Sequence, residues 1–267
     1  MRSRARILYY LAVGLILAFV VAPLISVVWV SVFSNKIISF PPQGYTFKWY
    51  LNAWELVDFR EGFILSLQVA LSATAIGLMV AVPASLALAR ANFPGKEFIN
   101  TLLLSPMLVP AIVAGSGVYI YFIQVEMLSG VQLVATLPGL IIAHVVIVIP
   151  WMVRLVTTSL LAADQNIEEA AQNLGATPWI TFKRVTLPLA RPGLVAGSLF
   201  SFIVSFTDLE KSLFLVGPGR TSLPIAILNY LEWNLDPTVA AVATVQIFII
   251  GIALVVSDRY VKLSQAF

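Results

Sequence analysis

Few side chains in this sequence could do chemistry. There is one histidine, His144, and no cysteine, so a thiolate metal centre and a disulfide framework are both excluded. His144 stands alone in an apolar run. There it reads either as a hydrogen-bonded packing residue or as a proton relay or ligand. Asp208, Glu210, Glu232 and Asp236 lie in one stretch with only Lys211 and Arg220 against them. Such an excess of acid would concentrate cations at a surface. The alternative is that they are ordinary solvated loop charges, or that Asp208 pairs with Lys211 one helical turn on. Thr207, Trp151 and Tyr119 complete the groups that could line a path. No paired carboxylates and no nucleophile with a partner base are evident, so neither a catalytic residue nor a metal site is expected. No G-x-x-x-x-G-K-[ST] phosphate loop is present, which assigns any nucleotide chemistry to another chain.

A different stretch is organised for mechanics. "NIEEAAQNLGATPWITFKRVTLP", residues 166–188, is polar in a chain that is 60% hydrophobic and 11% charged. Asn166 is suited to cap a helix, with Glu169 three residues on completing a capping box. Ile167, Ala170, Ala171 and Leu174 form an apolar stripe at helical spacing, with Glu168, Gln172 and Asn173 turned away. Gly175 stops the helix. Thr177 and Pro178 start another, to which Trp179, Phe182 and Val185 lend apolar contacts, and Pro188 ends it. The spacing predicts two short helices over 166–187. They form either a handle gripped by another protein or a bracket lying on the membrane or on the chain itself.

The elements that hold these groups are apolar. Mean hydropathy is +0.94, and long stretches carry no Asp, Glu, Lys or Arg. A bilayer core takes about 20 apolar residues per helical crossing. Six spans are expected, at 7–33, 63–89, 98–123, 133–160, 190–214 and 238–258, in a single all-α domain over 1–267. The first run is too long for a signal-peptide h-region and is read as an uncleaved anchor. With both termini in the cytoplasm, the inner side receives Arg2, Arg4, Arg6, Arg90, Lys96, Arg154, Lys183, Arg184, Arg191, Arg259 and Lys262. The outer side receives Lys36, Lys48, Arg60, Lys211 and Arg220. This inside excess places 166–188 in the cytoplasm. Outside, 34–62 is expected to include a short interfacial helix. Pro83, Pro106, Pro110, Pro138 and Pro150 fall inside the spans, either bending them around a cavity or reflecting the frequency of proline in membrane helices.

Glu169-Ala170-Ala171, three residues, Gly175, nine residues and Val185-Thr186-Leu187-Pro188 resemble the loop E-A-A-x-x-x-G-x9-I-x-L-P. That loop marks the inner-membrane permease subunits of binding-protein-dependent ABC importers, with Val185 here in place of Ile. The resemblance covers nearly the whole chain and implies the MetI-like permease fold. It implies that Glu169, Ala170, Ala171, Leu174, Gly175, Trp179 and Phe182 engage a cytoplasmic ATPase subunit. It also implies two such ATPases, which bind ATP and Mg and leave this chain without a cofactor. A second permease, expected to be homologous, and an external solute-binding protein complete the set, in the lipid of a bacterial inner membrane and with no nucleic acid. "TFKWY", "LLLSPMLVPAIVAG" and "SFTDLEKSLFLVGPGRTSLPIAI" resemble the spermidine/putrescine-type branch, which often carries two acids where this chain has Thr207-Asp208. A polyamine or related amino or cationic solute is therefore expected, with Asp208, Thr207, Trp151, Tyr119, His144 and Glu210 as path candidates. The main alternative, an ion-coupled secondary transporter, would place acids within its spans, and the uncharged runs hold none.

Overall fold

Without water to satisfy it, backbone crossing a bilayer must satisfy its own N–H and C=O groups, which leaves helices as the form for these apolar runs. The computed structural model describes residues 2–217 and 219–261, with side chains from residue 6 to residue 259. Pro218, Lys262 and the side chains of Arg2 and Arg4, used in the sequence reading, lie outside what is described. In chain order the helices are α1 (Arg2–Val30), α2 (Lys48–Glu55), α3 (Val57–Arg90), α4 (Lys96–Leu104), α5 (Ala111–Ser129) and α6 (Leu137–Ala162). They continue as α7 (Gln165–Asn173), α8 (Pro178–Thr181), α9 (Leu187–Leu189), α10 (Arg191–Phe206), α11 (Ser212–Leu215), α12 (Leu223–Trp233) and α13 (Thr238–Val261). Among the described residues, extended pairing is limited to the isolated bridges Phe33–Tyr45 and Gly217–Arg220.

Among the described residues, five stretches are long and apolar enough to cross a membrane: Arg6–Val30, Val57–Arg90, Ala111–Ser129, Leu137–Ala162 and Thr238–Arg259. A sixth arises if Pro178–Leu189 and Arg191–Phe206, bent by 65°, count as one broken span. The bend has a local cause. The Pro192 ring sits where it would meet the carbonyl of Pro188, four residues back, and neither proline can donate.

Proline also accounts for the clearest departure from the expected spans. The run at 98–123 is not one helix. It breaks after α4 into a tight turn, Ser105–Met107, and restarts at α5. Pro110 lacks the N–H that would bond to Pro106, and Val109 before it is biased away from helix. Pro138 instead lies in the first turn of α6, where Thr136 caps the helix by accepting from the Gly139 N–H at 3.2 Å. The expected start at 133 therefore moves to 137. Pro83 and Pro150 stay inside α3 and α6. The fifth span, expected to reach 214, stops at Phe206.

The residues group into two compact units, Met1–Arg60 with Ile227–Gly251, and Glu61–Ala226 with Ile252–Phe267. In the first, the expected interfacial helix is α2, anchored where the Trp49 indole N–H donates to the Phe33 carbonyl at 2.6 Å. Asp236 caps α13 by accepting from the Thr238 N–H at 3.0 Å, and Asn52 donates to the Thr238 hydroxyl at 2.9 Å.

The core of the second unit is the seam between α6 and α10. Val148, Met152, Val153, Val156 and Leu160 of α6 are all buried. Against them α10 presents Gly193, Gly197, Ser201 and Ser205, one small residue every four. Lipid tails are as apolar as leucine, so helices in a bilayer associate by close packing rather than by hydrophobic exclusion, and small residues permit it. A Cβ built on Gly193 would meet the Leu155 carbonyl oxygen and the Ser159 Cβ at 2.6 Å. Ser201 donates to the Val148 carbonyl at 3.4 Å. Gly193→Val should force the helices apart, costing about 1–3 kcal/mol of overpacking. It should appear as a lower thermal-aggregation temperature of the detergent-purified chain, and an unchanged temperature would show that the seam can relax.

Candidate functional site

Three features bear on function: a buried charge cluster, an apolar cavity beside it and an exposed bracket. The cluster begins where α10 stops. Asp208 Oδ2 accepts from the backbone N–H groups of Lys211 and Ser212, at the start of α11, at 3.0 and 3.1 Å. Its other oxygen, Oδ1, lies 3.1 Å from the Lys211 ammonium. On the far side His144 of α6 pairs through Nδ1 with the Ser205 hydroxyl at 2.7 Å. His144 Nε2 lies 3.4 Å from the Ser212 hydroxyl and 4.0 Å from Asp208 Oδ2. His144, Ser205, Asp208 and Ser212 are buried. Each charged or polar atom therefore meets a partner that offsets its desolvation. Of the readings left open in the sequence, the Asp208–Lys211 pair is present, with Asp208 buried rather than solvated, and His144 is hydrogen-bonded.

Lys211 also reaches the cavity. This space of about 360 Å³ is lined by Pro106, Ala114, Ala143, Pro150, Trp151 and Lys211 among others, and Lys211 is its one charged lining residue. Two of the prolines expected to bend spans around a cavity, Pro106 and Pro150, form part of its wall. Trp151 is fixed by stacking on Phe200, with ring centroids 5.8 Å apart and planes 18° from parallel. The other path candidates lie apart from this lining. Thr207 is exposed and donates to the Ile203 carbonyl at 2.8 Å, Glu210 is exposed, and Tyr119 is partly exposed with its ring 6.5 Å from Phe214. Lys211, Ser205 and Ser212 were not singled out as site residues. The spacing of Lys211 from Asp208 marks their pairing, but nothing local marks Ser205 and Ser212, which meet His144 only because α10 and α11 pack against α6.

The bracket folds much as its residues predict, with corrections at both ends. Its N-cap is Asp164 rather than Asn166, since the Asp164 carboxylate accepts from the Asn166 N–H at 3.0 Å. Glu169 makes no capping box and accepts from the Gln165 amide at 3.2 Å. Gly175 has φ +91°, the left-handed turn expected of it. The Ala176 N–H bonds to the Ala171 carbonyl at 3.0 Å and the Gly175 N–H to that of Gln172 at 2.9 Å, the paired bonds of a Schellman stop. Thr177 caps α8, accepting from the Ile180 N–H at 3.4 Å. Pro188 does not end the second helix. Phe182–Thr186 widens into a π-turn that carries the helix through Pro188 to Leu189.

The orientation of α7 was left open by its spacing. The apolar stripe is exposed on this chain: Ile167 and Ala170 face out, Leu174 is 90% exposed and Ala171 is half-buried. Glu168, expected to lie away from the stripe, does so and is buried at 9% exposure. On α8, Trp179 is 69% exposed, with its ring 5.5 Å from half-buried Phe182.

A family model described as "Binding-protein-dependent transport system inner membrane component" matches residues 73–264. The spermidine/putrescine transport system permease protein PotC of Escherichia coli is 30% identical over 250 residues, covering 92% of this chain and 90% of that protein. The putrescine transport system permease protein PotI of the same organism is 28% identical over 235 residues, covering 88% and 83%. Among solved structures, a chain of a bacterial ABC transporter involved in import of the acidic polysaccharide alginate superposes with a TM-score of 0.71. It is 16% identical, with coverage of 97% and 96%. A chain of the inward-facing MetNI methionine ABC transporter gives 0.60 at 21% identity, with coverage of 75% and 93%.

Removing one member of a buried ion pair leaves the other charge uncompensated, at about 3–5 kcal/mol. Asp208→Ala should therefore lower the melting temperature of the purified chain clearly more than Thr207→Ala. Equal melting temperatures for the two variants would contradict the pairing described.

Proposed function

This chain belongs to the family of binding-protein-dependent transport system inner membrane components, and we propose that it is driven through its 166–187 bracket by partner ATPases. As an ABC importer permease it is a multi-pass inner-membrane transport protein rather than an enzyme. The observation that carries the coupling reading is the exposure of Ile167, Leu174 and Trp179 on a polar bracket. Large apolar side chains left exposed on an otherwise polar stretch mark an interaction surface, which on this reading a partner protein covers. The small Ala170 and Ala171 allow close approach, and Glu169 is free of the chain's own ion pairs among the described residues.

On this reading two cytoplasmic ATPase subunits bind ATP and Mg, and this chain holds no cofactor. A second, homologous permease supplies the other half of the path, and an external binding protein delivers the solute. Both termini face the cytoplasm, as does the bracket, in keeping with the excess of basic residues on that side. The solute is a polyamine or related amino compound. The names of PotC and PotI support this class. Transport is by alternating access, with ATP binding at the partners moving the bracket and hydrolysis resetting it. Asp208, Thr207, Trp151, Tyr119, His144 and Glu210 are the candidates to shape the path, Trp151 from the cavity wall and Asp208 by holding Lys211.

Co-purification from native membranes should recover ATPase subunits with this chain, and their hydrolysis should rise severalfold with spermidine or putrescine plus the binding protein. Uptake that continues with no ATPase present would instead favour ion coupling. Leu174→Asp should reduce ATPase recovery at least tenfold without lowering the amount of this chain in the membrane. Gly175→Pro should do the same, because proline fixes φ near −65° where the turn requires +91°. Full recovery with either variant would remove the docking role.

A further inference from the structure

The bracket is attached covalently to only two spans. Two residues, Ala163 and Asp164, separate α7 from α6, and the bent pair leads from α8 into α10. A third attachment is not covalent. Arg90, the last residue of α3, meets Glu168 in the first turn of α7, 78 residues away in sequence. Arg90 Nη2 donates to Oε1 at 3.0 Å, and Nε lies 3.3 Å from both carboxylate oxygens. The two side chains keep only 17% and 12% of their exposure.

Several features make this contact more than an incidental surface pair. The guanidinium engages the carboxylate with two nitrogens, which fixes direction as well as distance. Each charge also suits its own helix, an anion at the positive N-terminus of α7 and a cation at the negative C-terminus of α3. Glu168 is buried on Arg90 while its neighbour Glu169 remains exposed, so the two adjacent acids are assigned to opposite faces. α3 is 34 residues long, about 50 Å at 1.5 Å per residue, so its end extends beyond a bilayer core of about 30 Å. The pair thus joins the bracket to the end of a long helix.

We propose that the Arg90–Glu168 pair is a positioning strut that keeps α7 seated on α3, so that displacement of the bracket moves this span together with α6 and α10. The proposal rests on the importer reading and deepens it. Glu168 faces inward and acts on its own chain, whereas Glu169 is left for the partner.

The test uses the co-purified complex reconstituted in vesicles, with ATP-dependent spermidine uptake and ATP hydrolysis measured together. Wild-type uptake is the control, since its absence would count against the importer reading and not against the strut. Arg90→Glu and Glu168→Arg should each retain the ATPase subunits and hydrolyse ATP while uptake per ATP falls at least tenfold. The exchanged pair, Arg90→Glu with Glu168→Arg, should recover uptake to within about threefold of wild type. A double variant as poor as the singles, or singles that lose the ATPase subunits, would overturn the proposal and assign Glu168 to docking. The chain has no cysteine, so Arg90→Cys with Glu168→Cys provides a second measurement. Bridging the two by a short thiol-specific crosslinker should preserve uptake. Inhibition relieved by cleaving the crosslink would show that the contact must open, which also overturns the strut.

Discussion

Everything that positions function in the second unit depends on how closely α10 lies against α6. The constraint is geometric. In a bilayer the apolar surface of a helix gains little by leaving lipid for another helix, so association depends on fitting backbones together. Gly193 and Gly197 remove the side chains that would hold the helices apart, and Met152 and Val156 occupy the space. Once that seam is set, the next small residues in the same row, Ser201 and Ser205, fall within reach of α6 and become its hydrogen-bond partners. Steric room at one end of the row thus becomes polar pairing at the other, where Ser205 meets His144.

From that end the charge cluster follows. His144 brings Ser212 and Asp208 together, Asp208 turns the chain out of α10 into α11, and the same carboxylate holds Lys211 at the cavity. A cluster so fully partnered has little tolerance for losing a member, because each group is desolvated on account of the others. It also couples the wall of the cavity to the core seam, so a change in the packing of α10 would be felt by Lys211 in that wall. The cavity owes its other wall to the proline break between α4 and α5, where a helix interrupted at Pro110 leaves Pro106 as part of the lining.

At the opposite end of α6 the bracket reverses the usual amphipathic arrangement. Its apolar residues are turned outward and a carboxylate is turned inward onto an arginine. A helix in water ordinarily buries its apolar stripe against its own chain. α7 buries Glu168 instead, which leaves its apolar face for another surface. The ion pair makes this arrangement tenable, since without Arg90 the inward acid would be a desolvated, unpaired charge.

The sequence by itself determined the membrane-spanning character of the chain, the approximate location of its helices, and the stop, turn and restart of the bracket. Those features rest on local physics: the length of an apolar run, the left-handed turn at Gly175, the fixed ring of Pro178 and the cap at Thr177. The small-residue row of α10 was not read from the sequence, because a packing face needs a partner helix to define it. Tertiary structure alone decided which face of α7 turns outward. Helical spacing identifies a stripe but not the surface it meets, and a charge from α3, far away in sequence, outweighed the preference to bury Ile167 and Leu174. It decided likewise that His144, Asp208 and Lys211 form one cluster, and that Tyr119, Thr207 and Glu210 stand outside it, since proximity across helices is a property of packing and not of spacing along the chain.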